Sequence, residues 1–187
     1  NERRQLDPHE LAGAVDDQLR IQRSVLILRG HDLEVDVRRN HPRSLDPAIK
    51  SSNLLNNILA LREAWNRGAE EPLLQNQDGF LAEGASTNVF VGTGGALRTP
   101  PLSAGILAGI TREIVLELAP SLGIPCRETN VEPSALLGAD EAFLCSTTRE
   151  VMPIRQVDET VIGTGRPGAF TRRLMEAFRS YAPAHCD

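Results

Sequence analysis

Glycine-containing turn signals between short apolar runs constrain the fold of this chain more than any other feature. Asp78-Gly79 and Gly94-Gly95 each separate two such runs. The flanking runs are Leu73–Asn76, Phe80–Ala82, Asn88–Gly92 and Ala96–Thr99. Dipeptides of this kind favour tight β-hairpin turns, because glycine adopts positive φ at no steric cost. A further hairpin is predicted around Asp158-Glu159, so the sequence predicts a largely antiparallel sheet.

Apolar residues at helical spacing, with glycine or proline near the ends, predict several helices between these hairpins. The predicted helices cover residues 8–19, 53–67, 111–122, 133–137 and 170–181, and further strands cover 19–23, 25–28, 31–38 and 141–146. In the helix at 53–67, one face is expected to be core; it consists of Leu54, Leu55, Ile58, Leu61 and Trp65. Hairpins mixed with separated helices indicate an α+β fold.

The overall composition is that of an ordinary globular protein and argues against several kinds of partner. The chain has 187 residues, 41% of them hydrophobic and 24% charged, enough for one core or one domain plus part of another. Its net charge of −5 argues against nucleic acid and anionic membranes. No apolar run approaches the ~20 residues that a membrane span needs, and no signal peptide is recognised.

The cysteine and histidine positions predict neither a metal site nor a disulfide framework. Cys126, Cys145 and Cys186 are odd in number, lie far apart and form no CxxC pair. The 4 histidines show no metal-ligand spacing. A chain of this kind is expected in a reducing cytoplasm.

Lys50 is the single lysine among 20 basic residues, and the other 19 are arginines. An arginine-biased composition that left one lysine behind would explain the count. A lysine amine, however, can lose its proton and attack a carbonyl, which a guanidinium cannot do. Lys50 is therefore a candidate for Schiff-base chemistry.

Four short segments carry groups that together suit one cofactor. Lys50 precedes a predicted helix, Glu83 ends a hairpin strand, and Gly109-Ile110-Thr111 opens a helix whose free N–H groups favour an anion. Ser146-Thr147-Thr148 ends a strand and presents hydroxyl groups. Each segment alone also fits a solvated lysine, a turn residue, a helix cap or a strand surface. Together they match the aldehyde, ring nitrogen and phosphate of pyridoxal phosphate.

Motifs over most of the chain sharpen this interpretation. They are DPAIKSSNLLNN, EGASTNVFV, LAGITREIV, ADEAFLCSTTREVMPI and GRPGAFTRRL. On these motifs the segment from about Arg38 to Phe178 resembles the class IV aminotransferases, the fold-type IV pyridoxal-phosphate enzymes. That family includes branched-chain and D-amino-acid aminotransferases and aminodeoxychorismate lyase. The resemblance implies the large α+β cofactor-binding domain of these enzymes, with a mostly antiparallel sheet and packed helices.

The resemblance also implies roles for the residues around the cofactor ring. Lys50 would hold the cofactor as an aldimine and would shuttle the substrate proton. Glu83 would pair with the pyridine nitrogen, with Asn88 as its structural neighbour. Leu107 would pack on one face of the ring.

Two further segments would hold anionic groups, according to the same resemblance. Ile110 and Thr111 would give backbone N–H groups, and Thr111 its hydroxyl, to the phosphate. Thr147 and Thr148 would bind the phosphate or the substrate carboxylate. No residue is assigned to a metal.

The resemblance divides the chain into two parts. Residues 1–29 resemble the last helix and strands of the family's smaller N-terminal domain, most of which has no counterpart in this sequence. Residues 30–187 resemble the large cofactor-binding domain. The family places a loop between Ser24 and Val25 that often reaches the substrate carboxylate of a partner subunit, and a homodimer is expected.

The expected activity is transfer of an amino group between an amino acid or amine and a 2-oxo acid, with these small molecules as partners. Two alternatives stay open. One is a lyase of the aminodeoxychorismate type that uses the same lysine, and the other is a truncated domain that binds the cofactor without turnover. The residues after Lys50 and the Ser146-Thr147-Thr148 segment resemble D-amino-acid enzymes more than branched-chain enzymes, but they assign no substrate.

Overall fold

The computed structural model describes residues 24–27 and 37–184, which contain ten strands, four α-helices and two single 3₁₀ turns. The strands are β1 (Ser24–Ile27), β2 (Glu71–Gln75), β3 (Leu81–Gly84), β4 (Asn88–Thr93), β5 (Ala96–Thr99), β6 (Cys126–Glu128), β7 (Glu141–Ser146), β8 (Glu150–Pro153), β9 (Gln156–Val157) and β10 (Thr160–Val161). The helices are α1 (Leu55–Asn66), α2 (Ile110–Ser121), α3 (Pro133–Leu137) and α4 (Ala169–Ala184). Within these two ranges, no helix is both long and apolar enough to cross a membrane.

The described strands form two sheets of five strands each. Sheet A has the order β10-β9-β1-β2-β3, and sheet B has the order β6-β5-β4-β7-β8. β1 runs parallel to β2 and β9, and β5 runs parallel to β6. The other neighbouring pairs are antiparallel. The predicted α+β class with a mostly antiparallel sheet is confirmed, although the strands divide between two sheets.

All three predicted hairpins are present as β2–β3, β4–β5 and β9–β10. Gly94 and Gly95 have φ of +59° and +79°, and Gly79 has φ of +86°. Two consecutive residues with positive φ make the turn that matches the right-handed twist of a hairpin. Local turn chemistry therefore determines these parts of the fold.

Adjacent residues of β2 face different layers, as the pleat of a strand requires. Leu73 is fully buried in a cluster with Val89 of sheet B, so this cluster lies between the two sheets. The next residue, Leu74, packs instead with Ala60 and Ala64 of α1. Helix α1 therefore covers the face of sheet A that points away from sheet B.

The other face of sheet B is covered by α2 and α4. Phe90 and Phe143 stack with their ring centroids 4.9 Å apart on this face. They pack in one cluster with Val115 of α2 and Leu174 of α4. The order of layers is thus α1, sheet A, sheet B, and then α2 with α4.

The prediction that the large apolar side chains of α1 face the core is wrong. Leu54, Leu55, Ile58 and Trp65 are 51%, 62%, 57% and 61% exposed, whereas Ala60 and Ala64 are fully buried. The small alanine side chains let the helix backbone approach sheet A closely, and the large apolar side chains then point away from it. Spacing located the helix, but it does not say which of two apolar faces meets the sheet.

Other sequence predictions had mixed outcomes. Strands β6 and β8 were not predicted, and β6 is short and largely exposed, with the parallel partner β5 far away in sequence. The strand predicted at 25–28 is present as β1. The helix predicted at 8–19, the strand at 19–23 and residues 31–36 of another strand lie outside the described residues.

Candidate active site

The ends of several elements meet around a cavity of about 140 Å³. Glu83 lies near the end of β3, Thr147 follows β7, Thr111 lies in the first turn of α2, and Lys50 follows the first 3₁₀ turn. The lining residues are Lys50, Glu83, Ser86, Thr87, Asn88, Leu107, Ala108, Gly109, Ile110, Thr111, Cys145, Ser146 and Thr147. The structure therefore brings together the candidate amine, the carboxylate, Leu107 and the start of α2.

Lys50 has an unusual backbone conformation. Pro47–Ile49 forms a 3₁₀ turn that begins at Asp46, whose side chain accepts a hydrogen bond from Ala48 N–H at 3.0 Å. Lys50 ends this turn with φ of +49°, in the left-handed region that residues other than glycine rarely adopt. Such conformations cluster at functional sites, and this one leaves Lys50 exposed at the cavity.

Glu83 is a buried carboxylate, with 5% of its surface exposed. Its Oε1 atom lies 2.6 Å from Arg39 Nη2, and its Oε2 atom accepts a hydrogen bond from Leu107 N–H at 3.0 Å. Asn88 Nδ2 donates to the same Oε2 at 3.3 Å and to the Leu107 carbonyl at 3.0 Å. The carboxylate is therefore held in one orientation, and Asn88 is its structural neighbour in this structure.

Burial raises the pKa of the Glu83 carboxyl from 4.5 to about 7. The charge of Arg39, the hydrogen bond from Leu107 N–H and the charge of Arg112 each lower this pKa, but desolvation outweighs them. A carboxyl with its pKa near neutrality, buried beside a cavity, is typical of a functional site.

This raised pKa predicts a pH dependence of stability for the cofactor-free chain. Between pH 4.5 and about 7, the folded chain binds more protons at Glu83 than the unfolded chain does. The contribution of Glu83 to stability therefore falls as the pH rises through this window. The free energy of unfolding of Glu83→Gln, minus that of the unmodified chain, should rise across the same window in urea denaturation. In Glu83→Gln, Arg39 lacks its ion-pair partner at every pH, which shifts this difference in unfolding free energy by a constant amount. A difference that does not change with pH would contradict the prediction.

The start of α2 presents free backbone donors to the cavity. Gly109 is the N-cap, and it has no side chain that could accept a hydrogen bond from the first N–H groups of the helix. The first N–H groups of a helix have no partner within the helix, so they favour an anion. A Cβ at Gly109 would lie 2.1 Å from Asn88 Oδ1, so glycine allows the helix start to lie against the residue that holds Glu83.

Arg112 adds a buried positive charge to the same helix turn. Its exposed fraction is 2%, and it donates a hydrogen bond to the Pro100 carbonyl at 2.9 Å and pairs with Glu128. Thr111 beside it is also buried, with 4% exposed. Arg112 is not among the described residues that line the cavity, but its charge lowers the pKa of the Glu83 carboxyl.

The two predicted threonines of the β7–β8 turn differ in position. Both side chains are exposed, but Thr147 lines the cavity, whereas Thr148 is not among the described residues that line it. Arg149 N–H donates to Ser146 Oγ at 3.2 Å, which fixes the base of the turn. The structure therefore groups Thr147 with the other candidate residues and leaves Thr148 at the edge.

A second cavity of about 370 Å³ adjoins the first. Lys50, Ser86 and Leu107 line both cavities. The second cavity is largely apolar, and its apolar lining residues are Leu45, Pro47, Leu54, Ile58, Leu61, Ala85 and Leu107. Lys50 thus lies between a smaller, more polar cavity and a larger, more apolar one.

Comparison with known proteins identifies the family. Residues 28–157 match the family model for amino-transferase class IV. The chain belongs to the class IV aminotransferases. The resemblance that the motifs indicated is confirmed.

Relatives of this class IV aminotransferase include enzymes of two kinds. It is 38% identical over 141 residues to the branched-chain-amino-acid aminotransferase of Escherichia coli K12, covering 75% of this chain and 46% of the relative. It is 40% identical over 132 residues to the D-alanine aminotransferase of Bacillus licheniformis, covering 71% and 46%. The crystal structure of the branched-chain aminotransferase from Thermobaculum terrenum in its PLP form matches with a TM-score of 0.80 at 34% identity, covering 87% and 52%. The chain spans about half the length of the curated relatives it matches.

The sequence patterns did not indicate Arg39, which lies against Glu83 in the structure. Arg39 Nη1 also donates to Asn57 Oδ1 at 2.9 Å, and Asn57 Nδ2 donates to the Ala85 carbonyl. These hydrogen bonds connect α1 with the segment before Lys50 and with the end of β3. Arg39 is one of 19 arginines, and its position in the Arg38-Arg39-Asn40 stretch carries no signal that would have singled it out.

Proposed function

We propose that this chain holds pyridoxal phosphate in the 140 Å³ cavity and moves an amino group between an amino acid and a 2-oxo acid. The observation that carries the proposal is the convergence of Lys50, the buried Glu83 carboxylate and the uncapped start of α2 on one cavity. A relative with the same fold is described in its PLP form, which supports the choice of cofactor.

The groups around the cavity fit the three polar ends of pyridoxal phosphate. Lys50 supplies an amine for the aldehyde, and Glu83 supplies a buried acceptor for a proton on the ring nitrogen. The N–H groups of Ile110 and Thr111 suit the phosphate. Leu107 lines both cavities and is suited to contact the ring.

Each group around the cavity has a separate role in the proposed reaction. Bound pyridoxal phosphate supplies an electron sink for bond breaking at the substrate α-carbon. Lys50 Nζ would bind the aldehyde, and its amine would move the α-proton as a general base. Glu83 holds a proton at the ring nitrogen, and Arg39 and Leu107 N–H orient its carboxylate. The start of α2 fixes the phosphate and so the position of the ring.

Reduction with borohydride tests the attachment to Lys50. After incubation with pyridoxal phosphate and reduction, mass spectrometry should find one pyridoxyl-labelled peptide, which contains residue 50. Because Lys50 is the single lysine, the other primary amine is the N-terminal one. Label confined to that amine would contradict the proposal.

Single-turnover mixing with an amino acid distinguishes the reaction classes. A transaminase should convert the bound cofactor to its pyridoxamine form, which changes its absorbance. A lyase should release product while the original absorbance returns. A domain without activity should keep the original absorbance throughout, and that result would contradict the proposed activity.

We propose in addition that a second copy of the chain covers the exposed face of α1. Leu54, Leu55, Ile58 and Trp65 form an apolar stripe on and just before α1, and each is more than half exposed. A stripe of this kind marks an interaction surface more often than free solvent contact. The stripe also borders the apolar cavity through Leu54 and Ile58, so a partner there would close the site.

The single tryptophan reports on this surface. Trp65 is 61% exposed, and it is the one tryptophan of the chain. Raising the protein concentration should shift its emission to shorter wavelength as dimers form, because the indole ring leaves water. Light scattering on the same samples should show twice the monomer mass, and Trp65→Glu should remain monomeric. A dimer in which Trp65 emission stays that of an exposed indole would contradict the proposed surface.

Two sequence-based predictions remain predictions. The domain boundary between residues 29 and 30 lies outside the described residues. The cytoplasmic location rests on the cysteine pattern. Cys126 and Cys145, the cysteines among the described residues, are free thiols.

A further inference from the structure

Glu71 is a second buried carboxylate close to the cavity, and the proposed chemistry does not use it. It opens β2 with 1% of its surface exposed. Its Oε1 atom accepts a hydrogen bond from Thr87 Oγ1 at 3.1 Å and one from Ser86 N–H at 3.3 Å. Ser86 and Thr87 both line the 140 Å³ cavity. Glu71 therefore holds one wall of that cavity from behind.

The other oxygen of Glu71 contacts the turn that carries Thr147. Arg149 Nη1 lies 2.8 Å from Glu71 Oε2, and both atoms are buried. The Arg149 side chain is 25% exposed, so it reaches inward from the surface of the turn. Arg149 lies in the β7–β8 turn, whose base is fixed by the pairing of Ser146 with Glu150.

One carboxylate of sheet A thus contacts two walls of the same cavity. Ser86 and Thr87 connect β3 of sheet A to β4 of sheet B, and Ser146 and Thr147 lie at the end of β7, which pairs with β4. Neither Glu71 nor Arg149 is among the described residues that line the cavity. Their contacts therefore act on the cavity through the residues that they hold.

The packing around Glu71 leaves little freedom. A Cβ at Gly84 would lie 2.6 Å from Glu71 Oε1 and 2.2 Å from Thr87 Oγ1. Glycine at this position is what allows the backbone of β3 to lie so close to the carboxylate. The Glu71 side chain is accordingly fixed between β3 and the β7–β8 turn.

A buried ion pair of this kind adds little to the free energy of unfolding. The cost of removing two charges from water often exceeds their attraction, so an apolar pair of similar volume would hold the fold as well. What an ion pair adds is a defined distance and direction between two elements. That property matters where donors must be held within a fraction of an ångström of a bound group.

We infer that the Glu71–Arg149 ion pair positions the turn carrying Thr147 against the phosphate end of the cavity. Glu71 and Arg149 are positioning residues in this inference, which rests on the proposed function for the identity of the bound group. Thr147 supplies the donor. The ion pair sets the distance between that donor and the start of α2.

The test is a double-mutant cycle on phosphate affinity. Glu71→Gln keeps the Oε1 acceptor for Ser86 and Thr87 and removes the charge that holds Arg149. Arg149→Met removes the other partner, and the double variant removes both. Affinity for inorganic phosphate and for pyridoxal phosphate is titrated in each, together with the midpoint of thermal unfolding. Arg155→Met, at an exposed position outside the turn, is the matched control.

We expect each single variant to bind both probes about tenfold more weakly, the magnitude typical of losing a partner that orients a binding group. The double variant should bind no more weakly than either single variant, because both changes release the same turn. Arg149→Lys should restore most of the affinity. Arg155→Met should bind as the unmodified chain does.

Several results would overturn this inference. The inference is wrong if folded Glu71→Gln and Arg149→Met bind phosphate and pyridoxal phosphate as tightly as the unmodified chain does. It is also wrong if the double variant loses affinity by the product of the two single losses. Failure of both single variants to fold would show that the pair holds the fold and does not position a donor. Failure of the proposed function is seen separately, as absence of pyridoxal-phosphate label at Lys50 in the unmodified chain that still binds inorganic phosphate.

Discussion

Replacing Lys50 with arginine should abolish amino-group transfer, with a loss of at least about 10²–10⁴-fold. The guanidinium keeps the positive charge of the position but does not lose a proton at accessible pH, so it cannot attack the cofactor's aldehyde or act as a general base. Lys50→Ala should lose the same activity together with the charge. Steady-state turnover with an amino acid and a 2-oxo acid measures the loss, and borohydride labelling measures the attachment.

A relocated amine provides the matched control for this prediction. The variant Lys50→Arg combined with Arg62→Lys has the same composition and net charge as the unmodified chain. Arg62 is exposed on α1 and is not among the described residues that line either cavity. This variant should remain inactive, because an amine acts only beside the carboxylate and the helix start. Activity regained by the relocated lysine would show that the position of Lys50 has no special role.

Local signals made much of the fold predictable. The three hairpins follow from dipeptides that favour turns between short strands, and α3 and β7 have the predicted bounds. Gly123, the residue after the helix predicted at 111–122, has φ of +65°. Each of these features depends on residues close together in sequence, where backbone preference and apolar spacing act directly.

Long-range contacts account for what the sequence did not show. The buried face of α1 is set by the fit of Ala60 and Ala64 against β2, which spacing within the helix cannot report. Glu83 pairs with Arg39, and Glu71 pairs with Arg149. Each pair forms because the arrangement of the sheets brings the two side chains together. Arg39 is one of 19 arginines and lies in none of the family motifs, and the motif that contains Arg149 does not show that this residue pairs with Glu71.

The candidate site was more predictable than these contacts because the family motifs mark it. Lys50, Glu83, Leu107, Ile110, Thr111 and Thr147 line one cavity in the structure. Thr148 lies at the edge of that group. The motifs contain the residues that line this cavity, whereas Arg39, which contacts Glu83, lies outside the motifs and is found only from the folded arrangement.

Glu83→Gln should retain the fold and cofactor attachment but turn over about 10–100-fold more slowly. A carboxylate at the ring nitrogen stabilises the protonated pyridinium, and a charge-assisted hydrogen bond of this kind contributes about 1.5–3 kcal/mol. Glutamine has nearly the same shape but carries no charge, so the ring loses its proton more easily and withdraws electrons less strongly. Turnover and the absorbance of the bound cofactor across a pH series measure both effects.

The exposed Glu117 of α2 provides the comparison, since Glu117→Gln removes one carboxylate away from the cavity. Glu83→Gln also leaves Arg39 without its ion-pair partner, so the loss could come from disturbed packing. Arg39→Met combined with Glu83→Gln removes that unpaired charge. If the loss arises at the ring nitrogen, this double variant should stay about 10–100-fold slow and the bound cofactor should still lose its proton at lower pH. Turnover restored to the unmodified level in the double variant would instead assign the effect of Glu83 to its contact with Arg39.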